Sequence, residues 1–401
     1  MASPALSRRT LLRSGAILAA VALLDGCGSD PSAGPPSGAT AGTGGASPAP
    51  GGAAVLAMPA EWQPHTRTFM AWPALEEVWG DQLAAVRRDI AGVAQAVAGF
   101  EPVVLMARPD QSAEARQLCG DSVEVLDLPV DDLWARDTGP TFVTGPTFVT
   151  GPPGLAGVDF NFNGWGGKQT HDNDGRVAAA LLDHYGIRRI QAPVTAEGGA
   201  VEVDGEGTLM ATESSLVNPN RNPGRTRDQI QAVLQELLGV QRVIWFQGVA
   251  GKDITDCHID ALVRFAEPGV VVLHRPGPDA PPDIWSTASD QALQVLRTAT
   301  DAKGRSLRVV ELTEPDFSKI DGGGDDFLAT YLNYYVVNGG VIMPRFGDRD
   351  ADARAAAVLA ELHPDRQVVQ VGINAIAAGG GGIHCSTQQQ PQAAAPPAGA
   401  S

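Results

Sequence analysis

The stretch RDQIQAVLQELLGVQRVIWF, residues 227–246, carries one unit of the fold. Arg227–Leu238 reads as a helix, Gly239 falls where a C-cap is wanted, and Val243–Phe246 follows as a strand. The same order recurs on both sides. Toward the N-terminus, Asp81–Val97 precedes the β-rich run Val103–Met106, and Arg176–Tyr185 precedes Ile187–Gln191. Toward the C-terminus, Ser289–Thr298 precedes Leu307–Leu312, and Ala351–Leu362 precedes Val368–Val371. Further strand-like runs, Thr208–Ala211, Gly269–Leu273 and Gly340–Met343, lie between these units. Five copies of one plan, the last four at a near-regular interval, predict an α/β fold closed as a radial array. An open, doubly wound sheet is the alternative that pattern alone leaves standing. One true repeat is present: Gly139–Thr144 recurs as Gly145–Thr150, read as a local duplication that lengthens a hairpin loop.

The ends read differently. Residues 1–27 form a leader, with Arg8 and Arg9 ahead of the apolar run Gly15–Leu24. That run is short for a membrane-spanning anchor, and the paired arginines predict twin-arginine export. Leu24-Asp25-Gly26-Cys27 resembles a lipoprotein cleavage box, which would put lipid on Cys27; a plain signal peptide is the other reading. Residues 28–57, mostly Gly, Ser, Ala, Pro and Thr, read as a tether that cannot offset its ordering entropy, and 392–401 as a similar tail. The folded domain is therefore expected over residues 58–391, exported and joined to a membrane only through a lipid on Cys27.

Formal net charge is −17. Removing residues 1–26 takes away three arginines and Asp25, leaving −17 − 2 = −19. Such a chain is a poor partner for nucleic acid and is compatible with a small cationic substrate, although a solvated acidic surface explains much of the charge. The four cysteines, Cys27, Cys119, Cys257 and Cys385, form no C-x-x-C pair, so neither a zinc site nor a disulfide framework is indicated. No metal or other cofactor is expected, and homo-oligomerisation is left open.

Four constellations carry chemistry. In Asp131–Pro140, Asp137 stands just before two turn formers, as a pocket carboxylate or as a turn cap. Glu197 precedes Gly198-Gly199, which permits close backbone approach; a surface turn is the bland reading. In Asp253–Asp260, alternation along a strand would put His258 and Asp260 on one face as an acid/base pair, with Cys257 on the other. An isolated H-x-D is as often structural. Finally, Gly379–Gly382 leads through Ile383 and His384 to Cys385, a nucleophile beside an open loop or a buried cysteine in low-complexity sequence. Several carboxylates around one cysteine would oppose a thiolate. They would also hold a cationic substrate, whose charge would then favour it.

The strings DLWARDTGPTFV (132–143), DFNFNGWGGK (159–168), AEGGAVEVDGEGTLMATESSLVNPNRNPG (196–224), YLNYYVVNGGVIMPRFGD (331–348) and GGGGIHCSTQQQP (379–391) resemble the agmatine deiminases and bacterial-type peptidylarginine deiminases. The resemblance spans residues 58–391. It implies a five-bladed α/β propeller of pseudo-five-fold symmetry, the pentein fold, and hydrolytic deimination of a guanidino group without a cofactor. It implies Cys385 as nucleophile, His258 as general acid/base, and Asp137 and Asp260 as carboxylates gripping the guanidinium. Glu197 is implied as a further pocket acid, with Trp134 and Trp165 lining the substrate channel. Two departures stand out: Gly382 where such proteins commonly carry Asn, expected to loosen the nucleophile loop, and Cys257 where they commonly carry Gly. The expected reaction converts agmatine and water to N-carbamoylputrescine and ammonia. One rival is the same chemistry on arginine at a peptide end or on free arginine, with Lys168 or Arg221 receiving the carboxylate. The other is an exported binder of cationic ligands without turnover.

Overall fold

The computed structural model describes residues 56–145, 154–277, 280–324 and 326–393. The expected leader, most of the tether and tail, and the second hexapeptide copy beyond Gly145 lie outside the described residues.

The fold is mixed α/β, with strands gathered into five small sheets. Four of them repeat one arrangement in chain order: β4 (Thr141–Thr144), β5 (Leu155–Asp159) and β6 (Arg188–Gln191); β7 (Glu202–Val203), β8 (Thr208–Thr212) and β9 (Arg242–Phe246); β10 (Val263–Glu267), β11 (Val270–Arg275) and β12 (Arg308–Thr313); β13 (Tyr335–Val337), β14 (Gly340–Arg345) and β15 (Gln367–Gly372). In each, the first strand is antiparallel to the second and the second parallel to the third. A parallel pair needs a crossover, and a helix supplies it each time: Val177–His184, Arg227–Leu238, Ile284–Thr298 and Arg349–Leu362. The remaining sheet keeps the plan with a strand from the far end of the chain. There β1 (His65–Ala71) pairs in parallel with β2 (Val103–Ala107) across the helix Leu83–Ala98, and β3 (Val123–Asp127) extends the sheet. The antiparallel partner of β1 is β16 (Gln388–Pro391), with Phe69 opposite Gln388 and His65 opposite Pro391.

Burial runs in one direction across each sheet. The first strands are mostly buried, β2, β5 and β8 are buried at every residue, and the third strands β6, β12 and β15 are largely half-buried or exposed. The predicted helix 227–238 shows why these sequences form these elements. Thr226 and Gln229 close a capping box, Ile230, Leu234, Leu237 and Leu238 are buried on one face, and Gly239 ends the helix at φ 67°.

Where the first strands meet, the interior is polar. Glu61 accepts hydrogen bonds from Arg264 Nη2 (2.8 Å), Arg136 Nη2 (3.2 Å) and the Val336 backbone N–H (2.9 Å). It also lies 2.8 Å from His384 Nε2. Against its burial, Arg264, then His384 and Arg136, hold the Glu61 carboxyl well below the usual range. This hub ties the β10, β13 and Arg136 regions to the segment that precedes β16.

Candidate active site

Asp137, His258, Asp260 and Cys385 converge on one cavity of about 730 Å³. Each arrives on a short irregular segment at the end of a regular element.

Asp137 sits on the single turn Ala135–Thr138, just before β4. Its Oδ1 accepts from the Gly199 N–H at 3.0 Å and its Oδ2 from Trp165 Nε1 at 2.9 Å. The Glu-Gly-Gly motif is explained by this approach. A Cβ on Gly199 would lie 2.6 Å from His258 Nδ1 and 3.0 Å from Asp137 Oδ1.

The segment 253–260 is not the strand that alternation predicted. Asp256 and Cys257 both take positive φ, 61° and 68°, His258 is extended, and Ile259–Ala261 is a 3-10 turn. His258 and Asp260 reach the same site because the turn reverses the chain, not because a pleat alternates. Cys257 packs among Met210, Ile244 and Phe246. Its left-handed backbone is one that glycine adopts without strain.

His258 Nε2 lies 3.4 Å from Glu197 Oε2, and Nδ1 lies 3.8 Å from Asp137 Oδ1. Burial works against the imidazolium, but Asp137, Glu197 and Asp260 outweigh it and lift His258 to about 9. It is therefore charged at neutral pH and able to donate a proton. Burial raises Asp137, opposed by His258 and reinforced by Asp260 and Glu197. Asp260 is held low in spite of burial, chiefly by His384, whose Nδ1 lies 2.7 Å from its Oδ2. Asp260 Oδ1 is buried with no hydrogen-bond partner among the described residues, and the residue lines the cavity.

The Cys385 thiol donates to Asp260 Oδ2 at 3.6 Å. Burial, then Asp260 and Asp137, push it well above the ordinary thiol value, which favours the protonated sulfur. The loop before it lies tight rather than loose. A Cβ on Gly381 would strike the Trp134 ring at 2.1 Å, and Gly382 faces Asn333.

The other expected residues stand behind the cavity. Glu197 is fully buried and paired with Arg221 Nε at 2.9 Å, so it orients His258 and is not a lining residue. Trp134 and Trp165 are fully buried, neither lines the cavity, and their indole N–H groups donate to Asp132 and Asp137. Arg221 and Lys168, expected as carboxylate receivers, are both committed to Asp256, at 2.5 and 2.6 Å. Sequence reasoning passed over Glu61, Asn333 and His384. Glu61 had no local signal; the other two sit inside quoted motifs, beside residues that drew the attention. Among the described residues, no group of three or more His, Cys, Asp or Glu side chains converges as metal ligands would.

Comparison with known proteins places the chain in a family. The agmatine deiminase of Stutzerimonas stutzeri is 40% identical over 357 residues, covering 83% of this chain and 95% of its own. That of Medicago truncatula is 36% identical over 360 residues, covering 83% and 96%. Among solved structures, the agmatine deiminase of Enterococcus faecalis superposes with a TM-score of 0.77 at 30% identity, covering 84% of this chain and 96% of that one. A family model, that of the Porphyromonas-type peptidyl-arginine deiminases, matches residues 57–391. The chain belongs to the Porphyromonas-type peptidyl-arginine deiminase family.

Proposed function

We propose that this protein hydrolyses the guanidino group of agmatine to N-carbamoylputrescine and ammonia through a covalent intermediate on Cys385. The observation that carries the reading is the convergence of Cys385, an imidazolium at His258 and the carboxylates Asp137 and Asp260 on one cavity. Asp137 and Asp260 take the planar guanidinium through charge-assisted hydrogen bonds, Asp260 with its unpartnered Oδ1. The substrate's charge offsets the carboxylate field that keeps the proton on sulfur. The thiol proton is released to solvent as the cation binds, and Cys385 Sγ bonds to the guanidinium carbon. The C–N bond breaks as His258 protonates the departing nitrogen, which leaves as ammonia. His258, now neutral, takes a proton from water, the hydroxide adds to the thiouronium carbon, and the C–S bond breaks as the adduct's hydroxyl proton passes to the departing sulfur, which restores the thiol and the imidazolium.

Charge supports agmatine over arginine. Asp137, Asp253, Asp260, Asp283, Glu314 and Asp326 line the cavity, and Lys252 is the only lysine or arginine among its described lining residues. An amine at the substrate's far end suits that lining; an α-carboxylate has Lys252 alone to meet it. A charge-assisted hydrogen bond is worth about 1.5–3 kcal/mol, so an unmet carboxylate costs roughly 10- to 100-fold in kcat/KM. Ammonia release is measured on agmatine, free arginine and a C-terminal arginyl peptide, with Cys385→Ser as the inactive control. Equal or better turnover of either arginyl substrate overturns the agmatine assignment and points to Lys252.

The same proposal takes the five sheets as the blades of a propeller of pseudo-five-fold symmetry. Their shared strand order, the burial running from first strand to third, and the pairing of β16 with β1 support it. It also takes the enzyme as exported, on the strength of Arg8, Arg9 and the apolar run Gly15–Leu24, with Cys27 as the candidate lipid acceptor.

A further inference from the structure

We propose that His384 is a positioning residue for the deimination, its imidazole clamped between Glu61 and Asp260 so that one oxygen of Asp260 is held back and the other is presented to the guanidinium. This rests on Asp260 being a carboxylate that receives the substrate.

His384 is 1% exposed and is held at both its backbone and its ring. Its N–H donates to the Asn333 carbonyl at 3.1 Å, and its carbonyl accepts from the Thr387 N–H at 3.1 Å and from Arg136 Nε at 3.3 Å. Ring Nδ1 lies 2.7 Å from Asp260 Oδ2, and Nε2 lies 2.8 Å from Glu61 Oε2. A neutral imidazole carries a single N–H, so only the imidazolium donates to both carboxylates. On Asp260 the clamp takes Oδ2, which the Cys385 thiol also approaches at 3.6 Å. Oδ1 is left buried, without a hydrogen-bond partner among the described residues, on a side chain that lines the cavity.

The two ends of the clamp are not alike. Glu61 has Arg264 Nη2 and the Val336 N–H on Oε1 and Arg136 Nη2 on Oε2, all independent of His384. Glu202 also faces this hub, 3.5 Å from Arg264 Nε. Asp260 has no such reserve. Burial raises its carboxyl, and His384 opposes that first, through hydrogen bond and charge, with His258 and Arg264 following. Loss of the ring therefore leaves the hub closed, frees Asp260 to turn, and lets burial raise it.

Asn and Gln separate the two ends. An Asn amide NH₂ reaches the place of Nδ1 and keeps a donor for Asp260, whereas a Gln NH₂ reaches the place of Nε2 and keeps one for Glu61. Ammonia release from agmatine is measured across pH in full-chain His384→Asn and His384→Gln, with circular dichroism to establish folding. His384→Gln should lose about 10- to 100-fold in kcat/KM at neutral pH, the factor of a hydrogen bond to a charged group. Its acid limb should rise by about 1 to 3 on the pH scale, because activity falls as Asp260 takes up a proton and that now happens at higher pH. Asp137, raised by its own burial, titrates on the same limb, so the limb should steepen as well. His384→Asn should stay within about tenfold of the unmodified enzyme, with its acid limb in place. A side chain that only filled space would lower the rate at every pH and leave the limb where it was. An unmoved acid limb in His384→Gln, or equal kcat/KM in the two variants, overturns the proposal; His384→Ala replaces a Gln variant that does not fold, under the same expectation. The role of Asp260 fails separately, if Asp260→Asn keeps the full rate.

Discussion

Replacing Glu197 by Gln should move the alkaline limb of the pH–rate profile. His258 donates the proton to departing ammonia, so activity is lost as pH rises through its pKa, about 9 with its neighbours in place. Three carboxylates, those of Asp137, Glu197 and Asp260, together lift it from 6.5 against burial. Burial opposes the lift, so the carboxylates together contribute more than the net; Glu197 acts through both a hydrogen bond and its charge, and the Arg221 charge it neutralises at 2.9 Å adds to the fall when it is removed. The limb should therefore drop by about one unit or more, while Gln keeps the volume and an acceptor for Arg221. Initial rates of ammonia release from agmatine between about pH 6 and pH 10 measure it. A loss of roughly tenfold near pH 9 with a much smaller loss near pH 7 is expected. An alkaline limb that stays in place would refute His258 as the titrating acid. The linkage has the same sign for stability: a pKa raised on folding stabilises fully below 6.5 and loses that contribution as pH rises through about 9.

Cys257→Gly should leave kcat/KM within a few-fold and the melting temperature nearly unchanged. Relief of a left-handed backbone, about 1 kcal/mol, offsets the lost burial of a small side chain; a rate loss like that of His258→Ala would show that Cys257 takes part in the site. Glu61→Ala should cost about 3–5 kcal/mol in urea unfolding, because Arg264 and Arg136 are left buried with an uncompensated charge; a cost below about 1 kcal/mol would refute the hub. Mass spectrometry of the native protein should find the N-terminus at or near Cys27 if the chain is exported as proposed. An intact Met1 or Ala2 would refute export processing, and an unmodified Cys27 would rule out lipidation.

Local chemistry made much of this protein legible. The helix 227–238 could be drawn because its cap, its apolar spacing and Gly239 act within a dozen residues, and the four other helix-then-strand units rest on the same kind of signal. The nucleophile could be chosen because a cysteine after four glycines is a local feature. Where the chain imitated a period it did not use, the reading failed. His258 and Asp260 have strand spacing, but two left-handed residues and a 3-10 turn bring them to the same side. The sequence by itself determined the elements, their order and the types of the reacting groups, since periodicity, capping and side-chain chemistry are properties of neighbours along the chain. Only the tertiary structure decided that β16 completes the sheet of β1, that Lys168 and Arg221 are consumed by Asp256, that Glu61 gathers two arginines, and that Asn333 meets the sulfur across the space at Gly382. Those are contacts between residues from 35 to more than 300 positions apart, set by how the five sheets pack, and no local pattern records which distant partner a buried charge or amide will find.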